Sequence, residues 1–137
     1  MNQTEIEQAA RNFLTKRLEN SAATTLGLFA DNAVVRFPGA QDTSAISQSV
    51  QTSDALEELV NQLCSTWRWD SLDVESLHTG DHSAVVRYKL NAVHLPSGEA
   101  LATESMDEFH FNEAGQITHL VEFVDTAKAA HLESLAG

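Results

Sequence analysis

The stretch "ATESMDEFHFNEAGQITHLVEFVD", residues 102–125, has the pattern of two strands joined by a tight turn. In a strand, successive side chains of its first half point to opposite faces, so Ser105, Asp107, Phe109 and Phe111 share one face. A carboxylate among phenylalanines is costly unless it is paired, solvated or kept for chemistry. We therefore expect this face of the sheet to line a cavity rather than a solid core.

Length and composition indicate a single globular domain spanning residues 1–137, with 42% hydrophobic and 20% charged residues. Eight Lys and Arg stand against 20 Asp and Glu, for a formal net charge of −12. Basic residues cluster nowhere beyond Lys16-Arg17, so nucleic acids and anionic membrane surfaces are poor partner candidates. The simplest role for the acid excess is solubility.

Several features favour a cytoplasmic protein. The lone cysteine, Cys64, cannot form an intramolecular disulfide, which is compatible with a reducing compartment. The N-terminal segment "MNQTEIEQ" lacks the basic and apolar regions of a signal peptide. No apolar run is long enough to span a bilayer.

Hydrophobic periodicity predicts helices, then one strand, a helix, a meander of strands and a last helix. The helices are expected at about 4–18, 24–29, from 54 onward, and 126–135; the strands at about 33–37, 67–77, 84–95, 101–111 and 116–124. Thr4 with Glu7 fits a capping box, Asp31-Asn32 is typical of a turn, and Asp125 or Thr126 is a suitable helix cap. Residues 39–52 form a polar loop of a length that is often functional. The order predicts an α+β fold in which a curved antiparallel sheet wraps around the N-terminal helices.

Three segments carry a resemblance to a known superfamily. "LGLFADNAVVRFPG" resembles a helix-to-first-strand junction, "DEFHFNEAGQITHLVEF" resembles a penultimate hairpin, and the spacing from the first helix to "LFADN" also fits. With these features the chain resembles the nuclear transport factor 2-like superfamily, the cone-shaped α+β fold of SnoaL-like polyketide cyclases and ketosteroid isomerases. This fold hosts enzymes, binding proteins and scaffolds, so the resemblance implies a fold more firmly than a function.

Ketosteroid isomerases use an aspartate base, a tyrosine and a protonated aspartate. The resemblance places these three groups at Phe37, Phe13 and Asp107. Phenylalanine can neither take nor give a proton, so we expect no ketosteroid isomerisation. Turnover of a ketosteroid by the unmodified protein would contradict this expectation.

The same resemblance directs Leu120, Glu122 and Val124 toward the pocket that Asp107 faces. If Phe111 pairs with Gln116 across the turn, Asp107 faces Leu120 and lies diagonal to Glu122. Two carboxylates in a poorly solvated cavity raise one pKa, which supplies a general acid beside a general base. We therefore take Asp107 and Glu122 as the candidate catalytic residues.

Arg17 lies on the inward stripe of the first helix, one turn after Phe13, and could neutralise a carboxylate or bind an anionic substrate. Carboxylate–arginine–carboxylate sites occur in this fold in enzymes that resemble limonene epoxide hydrolase. There the arginine lies on the sheet, whereas Arg87 of this chain alternates with Lys89 on the opposite face. The full set of candidate ligand-binding residues is Phe13, Arg17, Phe37, Leu59, Tyr88, Ser105, Phe109, Leu120 and Val124.

Each candidate also has a structural interpretation. Asp107 could only hydrogen-bond a hydroxyl or backbone group, and Arg17 could be a surface residue at a helix end. Glu122 would point outward if the strand register differed by one residue.

Other chemistry-bearing residues favour structural roles. His78 and His82 have helical spacing but bracket a Thr-Gly-Asp turn, so no metal site and no cofactor are expected. His94 and His110 suit a surface or an interface better than a general base. Trp67 and Trp69 share a strand face that suits the core, an interface or ligand stacking. Cys64 is expected to be an inert packed thiol.

The outer face of the sheet is predicted to carry apolar residues as well. Ile117, Val121 and Phe123 with Met106 make an apolar surface that the helices cannot also cover. Because relatives of this fold commonly bury such a surface, the resemblance implies a homodimer.

Two functions remain open from the sequence. The first is a SnoaL-like isomerase, cyclase, dehydratase or hydrolase that uses acid–base chemistry, without a cofactor, on a small hydrophobic or polyketide-like ligand. The alternative is a non-catalytic ligand-binding or dimeric scaffold protein of the same fold. Phe13 and Phe37 favour the alternative, whereas Asp107 and Glu122 favour the enzyme.

Overall fold

The fold was analysed in a computed structural model that describes residues 1–40 and 44–136. Its elements are α1 (Gln3–Arg17), α2 (Ala22–Leu26), β1 (Phe29–Arg36), β2 (Ser49–Val50), α3 (Ser53–Thr66), β3 (Trp67–Gly80), β4 (Ser83–His94), β5 (Glu99–Phe111), β6 (Ile117–Phe123) and α4 (Thr126–Leu135). Within the described residues, no helix combines the length and apolarity needed to cross a bilayer.

The six strands form one curved, unclosed sheet in the order β2-β1-β6-β5-β4-β3. All neighbouring strands pair antiparallel except β1 and β6, which run parallel. Helices α1 and α3 pack on the concave face, where Phe13 meets the rings of Phe29 and Phe109 edge to face at 5.9 and 5.2 Å between centroids. The predicted α+β class and the predicted meander are confirmed.

The starts of α1, α2 and α3 differ from the predicted ones by one or two residues. Asn2, not Thr4, caps α1: its side chain accepts from the Glu5 amide, and Glu5 reaches back to the Asn2 amide. Thr52 caps α3, so that helix begins at Ser53. Asp125, one of the two predicted candidates, caps α4. Several polar residues near each start could serve as caps, and local sequence does not choose among them.

The expected turn at Asp31-Asn32 is wrong, because these residues lie inside β1. Helix α2 has already ended at Leu26, and β1 shifts register against β6 between Phe29 and Val34. Asn32 adopts a positive φ of 54° at this irregularity. It exchanges two hydrogen bonds with Ser53 at the start of α3, at 2.9 and 3.0 Å. Asp31-Asn32, a pair typical of turns, therefore lies in a strand irregularity. Asn32 holds the start of α3 there through its two hydrogen bonds with Ser53.

The β5–β6 register also differs from the predicted one. Phe111 pairs with Ile117 rather than Gln116, and His110 pairs with His119, which leaves Thr118 as an extra residue. The Thr118 hydroxyl donates to the His110 carbonyl at 3.2 Å. The bulge has two consequences. Asp107 lies directly opposite Glu122 instead of diagonal to it. Ile117 faces the core, 2% exposed, instead of the outer sheet face.

The C-terminal helix is joined to the loop that precedes β2. Glu133 of α4 accepts hydrogen bonds from the Ser44 hydroxyl at 3.1 Å and the Ala45 amide at 3.2 Å. Ala129 and Leu132 are the buried residues of α4. Of the loop predicted at 39–52, residues 41–43 lie outside the described part. The rest, with α4, closes one side of the cavity between the sheet and the helices.

Candidate active site

The cavity that Arg17, Ser105 and Glu122 line together, called the main cavity below, lies between the concave face of the sheet, the end of α1, the loop before β2 and the start of α4. About 40 Å³ of it can hold the centre of a water-sized sphere, within about 500 Å³ of atom-free space that includes the open mouth. Its polar wall consists of Arg17, Thr103, Ser105, Glu122 and Asp125. The apolar wall includes Trp67, Trp69, Leu90, Leu101, Val124 and Ala129. The cavity is thus largely apolar, with five polar residues in its wall.

Arg17 is the last residue of α1, and its side chain is 5% exposed. Its guanidinium carbon lies 4.3 Å from the ring centroid of Trp69, and Nη1 donates to the Cys64 sulfur at 3.5 Å. Among the described residues, no carboxylate oxygen lies within 4.0 Å of its nitrogens. The interpretation of Arg17 as a surface residue is therefore wrong: it is a buried cation held over an indole ring.

Asp107 and Glu122 form a buried carboxyl pair on adjacent strands, 0% and 6% exposed. The two residues lie directly opposite each other across the β5–β6 pair, and interaction with Glu122 raises the pKa of Asp107. The Tyr88 hydroxyl donates to both Asp107 oxygens, at 3.1 and 3.2 Å. The inward orientation predicted for Glu122 matches its burial in the cavity wall.

Burial dominates the electrostatics of this cluster. Loss of solvation raises the pKa of Asp107 well above its usual range, and the charge of Glu122 and the hydrogen bond with it raise that pKa further. Burial also raises the pKa of Glu122, against the attraction of Arg17 and the hydrogen bond from Asp107. Burial and the nearby carboxyls raise the pKa of Tyr88 well above normal. These effects keep one proton on the pair above the pH at which two solvated carboxyls would both have ionised.

The predicted ligand-binding residues fall into three groups. Arg17, Ser105 and Val124 line the main cavity, as does Glu122 of the predicted catalytic pair. Phe13, Phe37, Leu59 and Leu120 line a smaller inner cavity, whose wall also includes Arg17 and Glu122. Tyr88, Phe109 and Asp107 are fully buried and line neither cavity. Of the two predicted catalytic carboxyls, Glu122 is thus the one that faces the main cavity.

The sequence did not assign Leu90, Leu101 and Thr103 to the cavity. It left three roles open for Trp67 and Trp69: the core, an interface or ligand stacking. Both tryptophans line the wall, 7% and 5% exposed. Their alternation signalled an inward face. That signal alone does not separate a cavity wall from a filled core, because both bury the same residues.

The histidines and the cysteine take no part in the main cavity. His94, expected at a surface or an interface, is instead 1% exposed, with its ring 4.7 Å from that of Trp67 and Nδ1 2.8 Å from the Ser97 hydroxyl. His110 contacts Glu108 at 2.8 Å on the partly exposed outer face of β5. In the described ranges, no group of three or more His, Cys, Asp or Glu side chains is placed to hold a metal ion.

The comparisons with known proteins agree with this geometry. The model of the SnoaL-like domain family matches residues 10–120. The chain belongs to the SnoaL-like domain family. This confirms the resemblance drawn from the sequence. A comparison of this SnoaL-like chain with proteins of curated function finds no significant match.

Solved structures of similar fold include a provisionally assigned isomerase from Bacillus subtilis, with a TM-score of 0.80 at 16% identity over 96% of each chain. An LEH-like epoxide hydrolase from M. tuberculosis has a TM-score of 0.71 at 12% identity, covering 94% of this chain and 89% of its own. A ketosteroid isomerase-like protein from Erwinia carotovora atroseptica has a TM-score of 0.67 at 18% identity, covering 90% and 98%. At these identities the likeness establishes the fold of the SnoaL-like domain and leaves its activity to the site residues.

The carboxyl pair makes a prediction for stability against pH. The folded state keeps the Asp107 proton at pH values where the unfolded chain has lost it, because the folded-state pKa is the higher one. This contribution is fully present below the unfolded pKa near 4 and is lost as pH rises through the folded pKa, with a slope of up to about 1.4 kcal/mol per pH unit. The Asn side chain of Asp107→Asn cannot ionise, so the variant does not lose this contribution. The free energy of unfolding of the variant minus that of the unmodified protein should therefore increase as pH rises. Urea denaturation at a series of pH values measures this difference.

The exposed Glu104, on the same strand as Asp107, provides the control for this experiment. Glu104→Gln should leave the pH profile of the unfolding free energy nearly unchanged. Parallel profiles for Asp107→Asn and the unmodified protein would show that Asp107 ionises in the folded state as it does in the unfolded chain.

Ser105 makes a second prediction. Its hydroxyl is buried and has no hydrogen-bond partner among the described residues. A buried unpaired hydroxyl costs about 1 kcal/mol or more, so Ser105→Ala should raise the free energy of unfolding by about 1 kcal/mol. Thermal and urea denaturation of the two proteins test this value. A clear loss of stability in Ser105→Ala would mean that the hydroxyl makes a structural bond in solution.

Proposed function

We propose that this SnoaL-like domain is an acid–base enzyme that needs no cofactor and acts on a small, largely apolar molecule. The observation that carries the proposal is the buried Asp107–Glu122 pair, of which Glu122 lies in the wall of the main cavity. A carboxylate whose pKa is raised toward neutral pH by burial is a stronger base than a solvated one and can still return its proton.

The proposed chemistry assigns different roles to the two carboxyls. Glu122 takes a proton from a substrate C–H bond or from an attacking water, and gives it back to the product. Asp107 does not line the cavity, so it acts as a positioning residue that holds Glu122 from the opposite position on the neighbouring strand. Tyr88 in turn orients Asp107 by donating to both its oxygens. Arg17 balances the single negative charge of the pair.

Two structural neighbours support this class of reaction. One is described as a provisionally assigned isomerase and another as an LEH-like epoxide hydrolase. Isomerisation and hydrolysis both require a group that removes and returns protons, which is what a carboxyl pair with a shared proton supplies.

Ligand binding without catalysis is the second candidate. It is favoured by Phe13 and Phe37, which occupy the positions where the family resemblance placed a tyrosine and a base, and which are each 3% exposed in the core. Both residues line the inner cavity together with Leu59 and Leu120. Under this candidate the carboxyl pair is an inert buried hydrogen bond.

Carboxyl titration followed by ¹³C NMR separates the two candidates. Asp107 and Glu122 should titrate as a coupled pair with at least one apparent pKa well above 4, and Asp107→Asn and Glu122→Gln assign the signals. Glu122→Gln should also lower turnover of a hydrophobic epoxide such as styrene oxide, or of a β,γ-unsaturated ketone, by about 10²-fold or more. Glu104→Gln is the control. Titration of both carboxyls at model-peptide values would overturn the enzymatic proposal.

We also propose that the domain forms a homodimer through its outer sheet face. Met106 and Phe123 are cross-strand partners there, 39% and 47% exposed, with the partly buried Val121 beside them. Analytical ultracentrifugation at micromolar concentration should detect a dimer, and Phe123→Glu should shift it toward monomer. Leu135→Glu makes the same change at an exposed residue of α4 and should leave the dimer intact. A monomeric unmodified protein would contradict the proposal.

A further inference from the structure

Strands β5 and β6 bring two histidines together on the outer face of the sheet, next to the turn that joins the strands. His110 and His119 are direct cross-strand partners, and the centres of their rings lie 5.8 Å apart. The side chain of His110 is partly exposed and that of His119 is exposed. Directly opposed residues of an antiparallel pair point to the same face, so both imidazoles project from one small patch of surface.

The hydrogen bond between His110 and Glu108 fixes the proton of the His110 ring. Its Nε2 lies 2.8 Å from a carboxylate oxygen of Glu108, and an ionised carboxylate can only accept a hydrogen bond. Nε2 therefore carries the proton of the neutral ring, and the lone pair is on Nδ1. A ring N–H donated to a carboxylate is the arrangement that orients many metal-binding histidines and makes their other nitrogen more basic.

The ring of His119 has the opposite arrangement. Its Nδ1 lies 3.2 Å from the hydroxyl oxygen of Thr118, the extra residue of the bulge. The Thr118 hydroxyl donates its own proton to the His110 carbonyl at 3.2 Å, so it accepts from Nδ1–H of His119. The lone pair of His119 is then on Nε2. Each ring thus has one nitrogen held by a hydrogen bond and a lone pair on the other.

The spacing and surroundings of the two rings fit a shared metal ion. With metal–nitrogen bonds of about 2.0–2.1 Å, two imidazoles bound to one ion have their centres roughly 5–6 Å apart. The neighbours of the pair in the same row of the sheet are Val34 on β1 and Ser83 on β4, both uncharged. Glu108 adds a negative charge beside the rings, in a chain whose formal net charge is −12, so the patch favours a cation.

We propose that His110 and His119 bind one divalent transition-metal ion, through Nδ1 of the first and Nε2 of the second, with water in the remaining positions. Imidazole ligands suit Zn²⁺, Ni²⁺ and Cu²⁺, and Cu²⁺ binds a given site more tightly than the other two. Among the described residues, no third His, Cys, Asp or Glu completes the group. Two protein ligands are one fewer than a catalytic zinc site has, so this ion exchanges readily with the solution.

The ion joins β5 to β6 beside the Thr118 bulge. It binds both rings only in the register that makes His110 and His119 partners, so it stabilises that register by mass action. The same register places Asp107 opposite Glu122. Asp107 points to the other face of β5, three residues from His110, so the ion supports the arrangement of the carboxyl pair without entering the proposed reaction.

Titration with Zn²⁺ and Cu²⁺ tests the site. Isothermal titration calorimetry should show one Zn²⁺ bound per chain, and Cu²⁺ should bind more tightly. Because Cu²⁺ is paramagnetic, small amounts of it should broaden the NMR signals of His110 and His119 before those of any other histidine. His82 is the main competitor, since its Nε2 already lies 3.0 Å from a carboxylate oxygen of Glu113. Broadening that begins at His82, or no Zn²⁺ binding, would overturn the proposal.

Variants at partly or fully exposed side chains identify the ligands without threatening the fold. His110→Asn and His119→Asn each remove a ligand and should weaken Zn²⁺ binding by more than about 100-fold, whereas Glu108→Gln removes only the hydrogen-bond partner of a ligand and should weaken it by about 10-fold. His131→Asn changes an exposed histidine of α4 and is the matched control, with unchanged affinity. Equal Zn²⁺ affinity in His119→Asn and the unmodified protein would overturn the site.

Hydrogen exchange measures the effect of the ion on the strand pair. At a Zn²⁺ concentration 100 times its Kd, amides of β5 and β6 that exchange only when these strands separate should exchange up to about 100-fold more slowly. The same Zn²⁺ concentration should leave exchange in His119→Asn unchanged. Zn²⁺ binding with no slowing in β5 and β6 would show that the ion does not join the two strands, and would overturn the proposal.

Discussion

The pairing of β5 with β6 is the constraint on which the candidate site depends. One extra residue, Thr118, shifts the register between the turn and the centre of the strands. Without that bulge, Asp107 would not lie directly opposite Glu122, and Ile117 would not turn into the core. The bulge lies next to the turn, about 10 Å along the strand from the carboxyl pair at the usual rise per residue. An irregularity near the turn thus decides which side chains face each other further along the strands.

The buried polar cluster is the second feature that the structure must support. Asp107, Glu122, Tyr88 and Arg17 are all at least nine-tenths buried in an otherwise apolar interior. A hydrogen bond joins Tyr88 to Asp107, which lies opposite Glu122, whereas the arginine is held by an indole ring and a thiol. This separation leaves the cation available to a ligand while it still stabilises the shared negative charge. A cluster optimised for stability alone would not need a buried cation, because well-packed apolar residues are often at least as stabilising as a buried ion pair.

Membership of the SnoaL-like family accounts for the scaffold but not for this particular cluster. The cone-shaped sheet and the helices that cover it are shared with structures at 12–18% identity. Arg17 comes from the end of α1, whereas the arginine expected from limonene epoxide hydrolase-like sites lies on the sheet. Phe13 and Phe37 remove the groups expected of a ketosteroid isomerase. The same scaffold therefore presents a different set of polar groups to its cavity.

The sequence by itself determined the α+β class, the order of the elements, the inward face of β5 and the family, because hydrophobic periodicity and turn residues are local properties. It also identified Asp107, Glu122, Arg17 and Ser105 as residues of one region. Tertiary structure alone decided that Glu122 faces the cavity while Asp107 lies outside its wall, and that Arg17 packs over Trp69 rather than against a carboxylate. A bulge and a packing contact between distant segments follow from the balance of many weak interactions, and that balance is set only when the sheet and helices close on each other.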